Sequence, residues 1–257
     1  MEVAGFGRAV TAEEDADMDD TTLNPYEAPK ADFNAQAVNP GVSGSLDDAL
    51  AGRYSLDIGD VMREAWVMTP GMKGAFWSGA IPLYVAYMAF AMVGGFLFRG
   101  SLVLVVHDIA LGALAPVLFL GLIAMGIRRA GGLRVGFDTT FGSFGLAAPA
   151  FLAGLLSTVL TSIGMILVLP GIYLAIAYCM TMPLIVDRNL SPWDALETSR
   201  KAVGKRWFQY FGLLFMVGLL VGLSAIPLGI GLIWTAPWAV NVVGVAYRRT
   251  FGISQTA

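Results

Sequence analysis

The residues in this chain best suited to chemistry are His107 and Asp108, adjacent to each other beside a long apolar run. An imidazole next to a carboxylate can pass a proton, and ionisable groups held inside a bilayer mark ion or proton pathways. The pair lies partly within the membrane if the run begins near Ser101. Residues 109–127 are already long enough to cross alone, and Asp108 then caps the outer helix end while His107 meets headgroups or water. Adjacent residues also point different ways on a helix, so the two make a poor isolated ligand pair. One histidine cannot complete a usual zinc set, and the one cysteine, Cys179, sits in an apolar run and reads as a small hydrophobe. Asp138, Asp194 and Glu197 are too scattered for a carboxylate pair. Phosphate loops, dinucleotide fingerprints, zinc-protease motifs and serine elbows do not occur. No catalytic set, metal site or cofactor is expected.

The elements that would position such residues are membrane spans. Of 257 residues, 56% are hydrophobic and 14% charged, against about 25% charged in a soluble domain. The mean hydropathy is +0.69. The net charge of -3 reflects acids gathered in the N-terminal stretch, Glu13, Glu14, Asp15, Asp17, Asp19 and Asp20. A dense basic face for nucleic acid is not present, and no nucleic-acid partner is expected.

This composition predicts an all-α fold, a polytopic transmembrane helix bundle. Residues 1–50 are acidic and rich in Pro and Asn, too sparse in apolar side chains to offset the entropy of ordering, and read as a disordered cytoplasmic tail. Residues 51–252 form the helical domain, and 253–257 a short tail. Six candidate spans fall at residues 75–98, 107–127, 146–168, 171–186, 208–230 and 232–247. The fourth and sixth are short against the roughly 20 residues a crossing needs. A five-span alternative merges residues 227–246 into one kinked or re-entrant element, because Pro227 and Pro237 each remove a helix hydrogen bond.

Basic residues orient the spans. With the N-terminus inside and six crossings, Arg53, Arg63, Lys73, Arg128, Arg129, Arg134, Arg188, Arg200, Lys201, Lys205, Arg206, Arg248 and Arg249 are cytoplasmic, and Arg99 alone is outside. Both termini are then cytoplasmic, the outer connections are short and the inner ones long.

Residues 191–206 read as an amphipathic helix lying on the inner surface. Ser191 is the N-cap, Pro192 the first helical residue, and Asp194 follows three residues after the cap. Trp193, Leu196, Val203 and Trp207 share one face; Glu197, Lys201 and Lys205 share another, and Arg200 can snorkel to headgroups. With Arg206 these residues form the candidate interfacial site: Trp193, Arg200, Lys201, Lys205 and Arg206. Residues 57–66 and 137–144 show a similar habit ahead of spans one and three. The three hairpins that follow these segments start about 60 to 70 residues apart, the spacing of a parallel threefold repeat. Gly218 and Gly222 have the small-residue spacing that permits close helix contact, and the six tryptophans fall near span ends.

The stretches Leu169-Pro-Gly-Ile-Tyr, Met182-Pro-Leu-Ile-Val-Asp-Arg and Ser191-Pro-Trp-Asp-Ala-Leu-Glu-Thr-Ser-Arg carry a resemblance. Over residues 120–250 the chain resembles a group of uncharacterised bacterial integral membrane proteins, similar to the membrane portion attached to some glycerophosphoryl diester phosphodiesterases. Asn24-Pro-Tyr-Glu-Ala-Pro resembles a segment found ahead of bacterial membrane domains. The phosphodiesterase catalytic domain has no counterpart here, so no activity or metal site carries over. The resemblance implies a multi-pass protein of the bacterial inner membrane. The expected role is a scaffold or accessory protein presenting a cytoplasmic surface; the alternative is a small-solute or ion transporter or channel. Expected partners are membrane lipids and a cytoplasmic or membrane protein.

Overall fold

The computed structural model describes residues 42–254, and every regular element among them is helical. Five segments are long and apolar enough to cross a membrane: Lys73–Leu97, Val103–Ala130, Phe137–Met165, Leu169–Arg188 and Trp207–Ala225. The chain is thus an all-α, multi-pass membrane protein.

In chain order the helices are α1 (Leu46–Ala51), α2 (Ile58–Met68), α3 (Lys73–Leu97), α4 (Val103–Leu118), α5 (Leu120–Ala130) and α6 (Phe137–Gly142). A 3-10 turn (Ser143–Leu146) leads into α7 (Ala147–Met165), followed by α8 (Leu169–Ala177), α9 (Thr181–Arg188), α10 (Pro192–Lys205), α11 (Trp207–Ala225) and α12 (Leu232–Phe251). A short helix precedes each long pair: α2 before α3–α4, α6 before α7–α8, and α10 before α11–α12.

Local chemistry explains the breaks. Pro116 withholds an amide from the carbonyl four residues back, and the helix stops at Leu118 before α5 resumes. Ser191 caps α10 as expected: its hydroxyl accepts from the Asp194 amide at 3.2 Å, and Pro192 occupies the first turn. Asp57 caps α2 in the same way, accepting from the Asp60 amide at 2.8 Å. Residues 42–50, expected within the tail, are ordered instead. Ser45 accepts from the Asp48 amide at 3.1 Å and Gly52 closes α1 in the left-handed conformation, φ 76°. The tail's remaining residues, 1–41, and residues 255–257 lie outside the described residues.

The helices divide into a compact body and three apolar arms. Body residues include Tyr54, Ala65, Leu184, Val203, Tyr210 and Val245, all within one buried cluster. The cluster draws together α1, α2, α5, α9, α10, the start of α11 and the second half of α12. The arms are hairpins in which few side chains are buried: α3–α4, α7–α8, and α11 with the start of α12. Their exposed surface is large and aliphatic, as lipid contact requires.

The sixth run, 232–247, lies in α12 and is not among the five crossing segments. α12 runs on to Phe251 and carries Thr235, Asn241, Arg248, Arg249 and Thr250, and from Pro237 most of its length is buried in protein. A packed helix can hold polar groups that a lipid-facing one cannot. Its closest neighbour is α5: a Cβ on Gly244 would run into the Gly126 backbone. The close packing within the chain expected at Gly218 and Gly222 does not form, since a Cβ at either would meet nothing within 4 Å. Trp238 also leaves the expected belt; it is buried, with its indole N–H donating to the Met62 carbonyl at 3.0 Å.

Candidate functional site

Polar side chains converge on the body. At its centre Arg248, 1% exposed, donates to the Ala130 carbonyl at 2.7 Å and also to Glu64. Arg249 reaches the other Glu64 oxygen at 2.8 Å. Glu64 on α2 thereby ties two consecutive arginines of α12, and Arg248 links that pair to the last turn of α5. Burial pushes the Glu64 carboxyl up, and the two guanidiniums more than reverse it, holding the group below the ordinary carboxylate range.

A second knot joins α9 to the C-terminal segment. The buried Asp187 carboxylate accepts from the Tyr247 hydroxyl at 2.7 Å and from the Ser254 amide at 3.1 Å. Arg188 donates to the Phe251 carbonyl at 2.7 Å. Arg129 secures the link between α2 and α3, donating to the Met68 and Pro70 carbonyls at 2.9 and 3.0 Å. These groups are engaged with one another and with backbone ends, which makes the body rigid.

In the sequence Arg129, Arg188, Arg248 and Arg249 are expected only as basic residues at the cytoplasmic ends of spans. Arg248 and Arg249 after an apolar run, and Asp187-Arg188 after another, were visible signals. The pairing of residue 64 with 248, and of 187 with 247, needs the tertiary fold.

The expected interfacial residues sit on α10, with a change of role for its apolar face. Leu196, Val203, Ala195 and Ala202 are buried against protein, so this face packs on the body instead of facing lipid. Ser199 fixes it, donating to the Ala177 carbonyl at 2.7 Å and accepting from the Met180 amide at 3.2 Å. Trp193 stays exposed. Arg206 lies over the Tyr54 ring at 5.9 Å, and the Tyr54 hydroxyl donates to the Ala202 carbonyl at 2.8 Å.

The remaining cations line a cleft of about 470 Å³ with Leu50, Tyr173 and Gly204. Arg200 holds Glu197 through two hydrogen bonds, 2.8 and 2.9 Å, and Lys201 approaches the same carboxylate at 3.3 Å. The Arg200 hydrogen bonds, with Lys201 behind them, pull Glu197 down to about 2. Lys205 completes the lining. The cleft lining therefore carries three cations, of which Arg200 and Lys201 are paired with Glu197, and the excess of positive charge suits an anionic group.

His107 and Asp108 both lie near the start of α4, in the first arm. The His107 ring is buried in the first arm, 5.3 Å from Phe90 and 5.9 Å from Phe98 by ring centres, and its Nε2 lies 3.4 Å from the Phe90 carbonyl. Gly94 makes room for it, because a Cβ there would collide with the imidazole. The Asp108 side chain is exposed and 3.4 Å from Nδ1. A separate groove of about 510 Å³ between α7 and α8 is lined by Ser157, Thr158, Thr161, Ser162 and Tyr178. Among the described residues no group of three His, Cys, Asp or Glu side chains could hold a metal ion.

Comparison with protein-family models, with curated proteins and with solved structures found no match to this chain.

Proposed function

We propose that the protein is a membrane-embedded scaffold or accessory protein that acts through a rigid cationic face on the cytoplasmic side of a bacterial inner membrane. The observation that carries this reading is the α10 cleft. Arg200, Lys201 and Lys205 stand on a helix whose opposite face is locked into the body, beside α1 and Tyr173. A fixed cluster of cations with a partly apolar floor suits an acidic segment of a partner protein. The orientation follows from charge: the body collects nearly all the basic residues, and basic residues stay on the cytoplasmic side.

The test is affinity isolation of the full-length protein in mild detergent, with Lys201→Glu/Lys205→Glu as the comparison. A partner recovered with the wild type and lost on charge reversal supports the proposal. Equal recovery from both removes the cleft from the role.

A second reading, passage of a small solute, draws on the hydroxyl-lined groove between α7 and α8. In sealed vesicles it requires flux that falls when Thr158 and Thr161 are changed to Val. Flux that survives those changes but falls with His107→Ala would move the path to the first arm.

A further inference from the structure

The three arms end differently. The first turns through Phe98, Arg99, Gly100 and Ser101, and its tip carries a charge and a hydroxyl. The second and third have neither. Residues 163–172 and 225–233 contain no polar or charged side chain. Their apolar groups project outward: Ile166 is 80% exposed, Leu169 77% and Leu228 96%. Val168 and Leu228 take positive φ, 60° and 53°, a backbone usually left to Gly or Asn.

The backbone of these turns is closed on itself. The amides of Ile166, Leu167, Val168 and Leu169 donate to the carbonyls of Ile163, Gly164, Met165 and Leu167. In the third turn Ile226, Leu228, Gly229 and Ile230 donate to Leu223, Ile226, Ala225 and Pro227. A loop in water can leave such groups to the solvent. A loop in hydrocarbon cannot, because each unsatisfied group there costs several kcal/mol.

Depth separates the arms as well. α3 has 25 residues, about 37 Å, ample for a core of about 30 Å. The return segment of the second arm runs Leu169–Arg188, but only α8, nine residues and about 13 Å, lies outside the body; past the turn at 178–180, Leu184 and Ile185 of α9 are buried in the body's cluster. In the third arm Trp77 donates to the Ile233 carbonyl at 3.3 Å, and Lys73 lies 5.1 Å from the Trp234 ring. The start of α12 is therefore level with the charged first turn of α3, on the body's side.

We propose that only the first hairpin crosses the bilayer, and that the second and third enter from the body's side and turn within the hydrocarbon, with their apolar tips against acyl chains. This rests on the reading that the body lies at one face of the membrane. α7 and α11, each 19 residues, are then strongly inclined.

Single cysteines in a Cys179→Ala background test it, placed at Arg63 on the body, Ser101 on the first tip, and Leu167 and Leu228 on the other two. A membrane-impermeant maleimide is applied to right-side-out and inverted vesicles, and nitroxides at the same sites report access to oxygen and to a water-soluble nickel chelate. Arg63→Cys is expected to label only in inverted vesicles and Ser101→Cys only in right-side-out ones. Leu167→Cys and Leu228→Cys should lose labelling from both sides and show access to oxygen without access to nickel. Labelling of either tip from the Ser101 side, with nickel access, overturns the proposal for that hairpin and leaves the body's placement standing. Labelling of Arg63→Cys from the Ser101 side overturns the placement itself.

Discussion

Arg248→Ala should destabilise the protein by about 3–5 kcal/mol. The side chain is 1% exposed and joins three helices. Its loss leaves the Ala130 carbonyl without its 2.7 Å donor, which for a buried acceptor costs about 1–3 kcal/mol. The buried stem adds about 2 kcal/mol at roughly 0.8 kcal/mol per methylene. Glu64 retains Arg249 at 2.8 Å, so the full penalty of about 3–5 kcal/mol for an orphaned buried charge does not arise at that end. Glu64→Gln removes the shared carboxylate from both arginines and should cost a similar amount. The two changes should be non-additive by more than about 1 kcal/mol, as expected for groups in one network. Reversible unfolding in mixed detergent micelles, followed by tryptophan fluorescence, measures each value. The same pair predicts the pH response. Glu64 is held below its ordinary value of 4.5, so its contribution is complete above that value and is lost as pH falls through the folded-state value. Glu64→Gln should flatten that acid limb. A loss below about 1 kcal/mol for Arg248→Ala, or additivity with Glu64→Gln, would refute the network's structural role.

Other expectations use the same assay. Gly94→Ala should cost about 1–3 kcal/mol by forcing the buried His107 ring aside, whereas Gly95→Ala, with nothing within 4 Å, should be neutral or better. Gly244→Ala should be at least as damaging, because the obstacle is the Gly126 backbone; Gly218→Ala, on an open face, should gain up to about 1 kcal/mol from helix propensity. Tyr247→Phe should cost about 1.5–3 kcal/mol by removing a buried hydrogen bond to the Asp187 carboxylate, and a change within about 0.5 kcal/mol would argue that Ser254 alone satisfies that group.

Much of the helical arrangement was legible because hydrophobic runs and caps are local signals. Ser191-Pro192 announced α10, and the uncharged runs gave most of the long helices. The faces of those helices were harder to assign. Leu196 and Val203 mark an apolar stripe whether it meets lipid or protein, and periodicity alone cannot distinguish the two. α12 shows the same limit: an apolar run flanked by arginines suggested a span, while Asn241 and Arg248 are accommodated by partners on α2 and α5. Gly218 and Gly222 had the expected spacing but lie on an open face, and the close approach occurs at Gly126 and Gly244, which have no shared local motif. His107 looked like a functional group because of its charge, and the fold uses it as an aromatic partner for Phe90. The charge network was the least legible part, since its members come from residues 64, 130, 187 and 247–254 and only packing unites them.

In the proposed arrangement a charged body lies at one membrane face and projects apolar arms into the bilayer. Electron cryomicroscopy of the full-length protein in lipid nanodiscs tests this most directly. In the proposed arrangement α1, α2, α10 and the Arg248–Glu64 network lie outside the hydrocarbon on one side, with Leu167 and Leu228 within the lipid density. Arg248, Glu64 and Asp187 at the bilayer midplane, or body helices divided between the two faces, would contradict it.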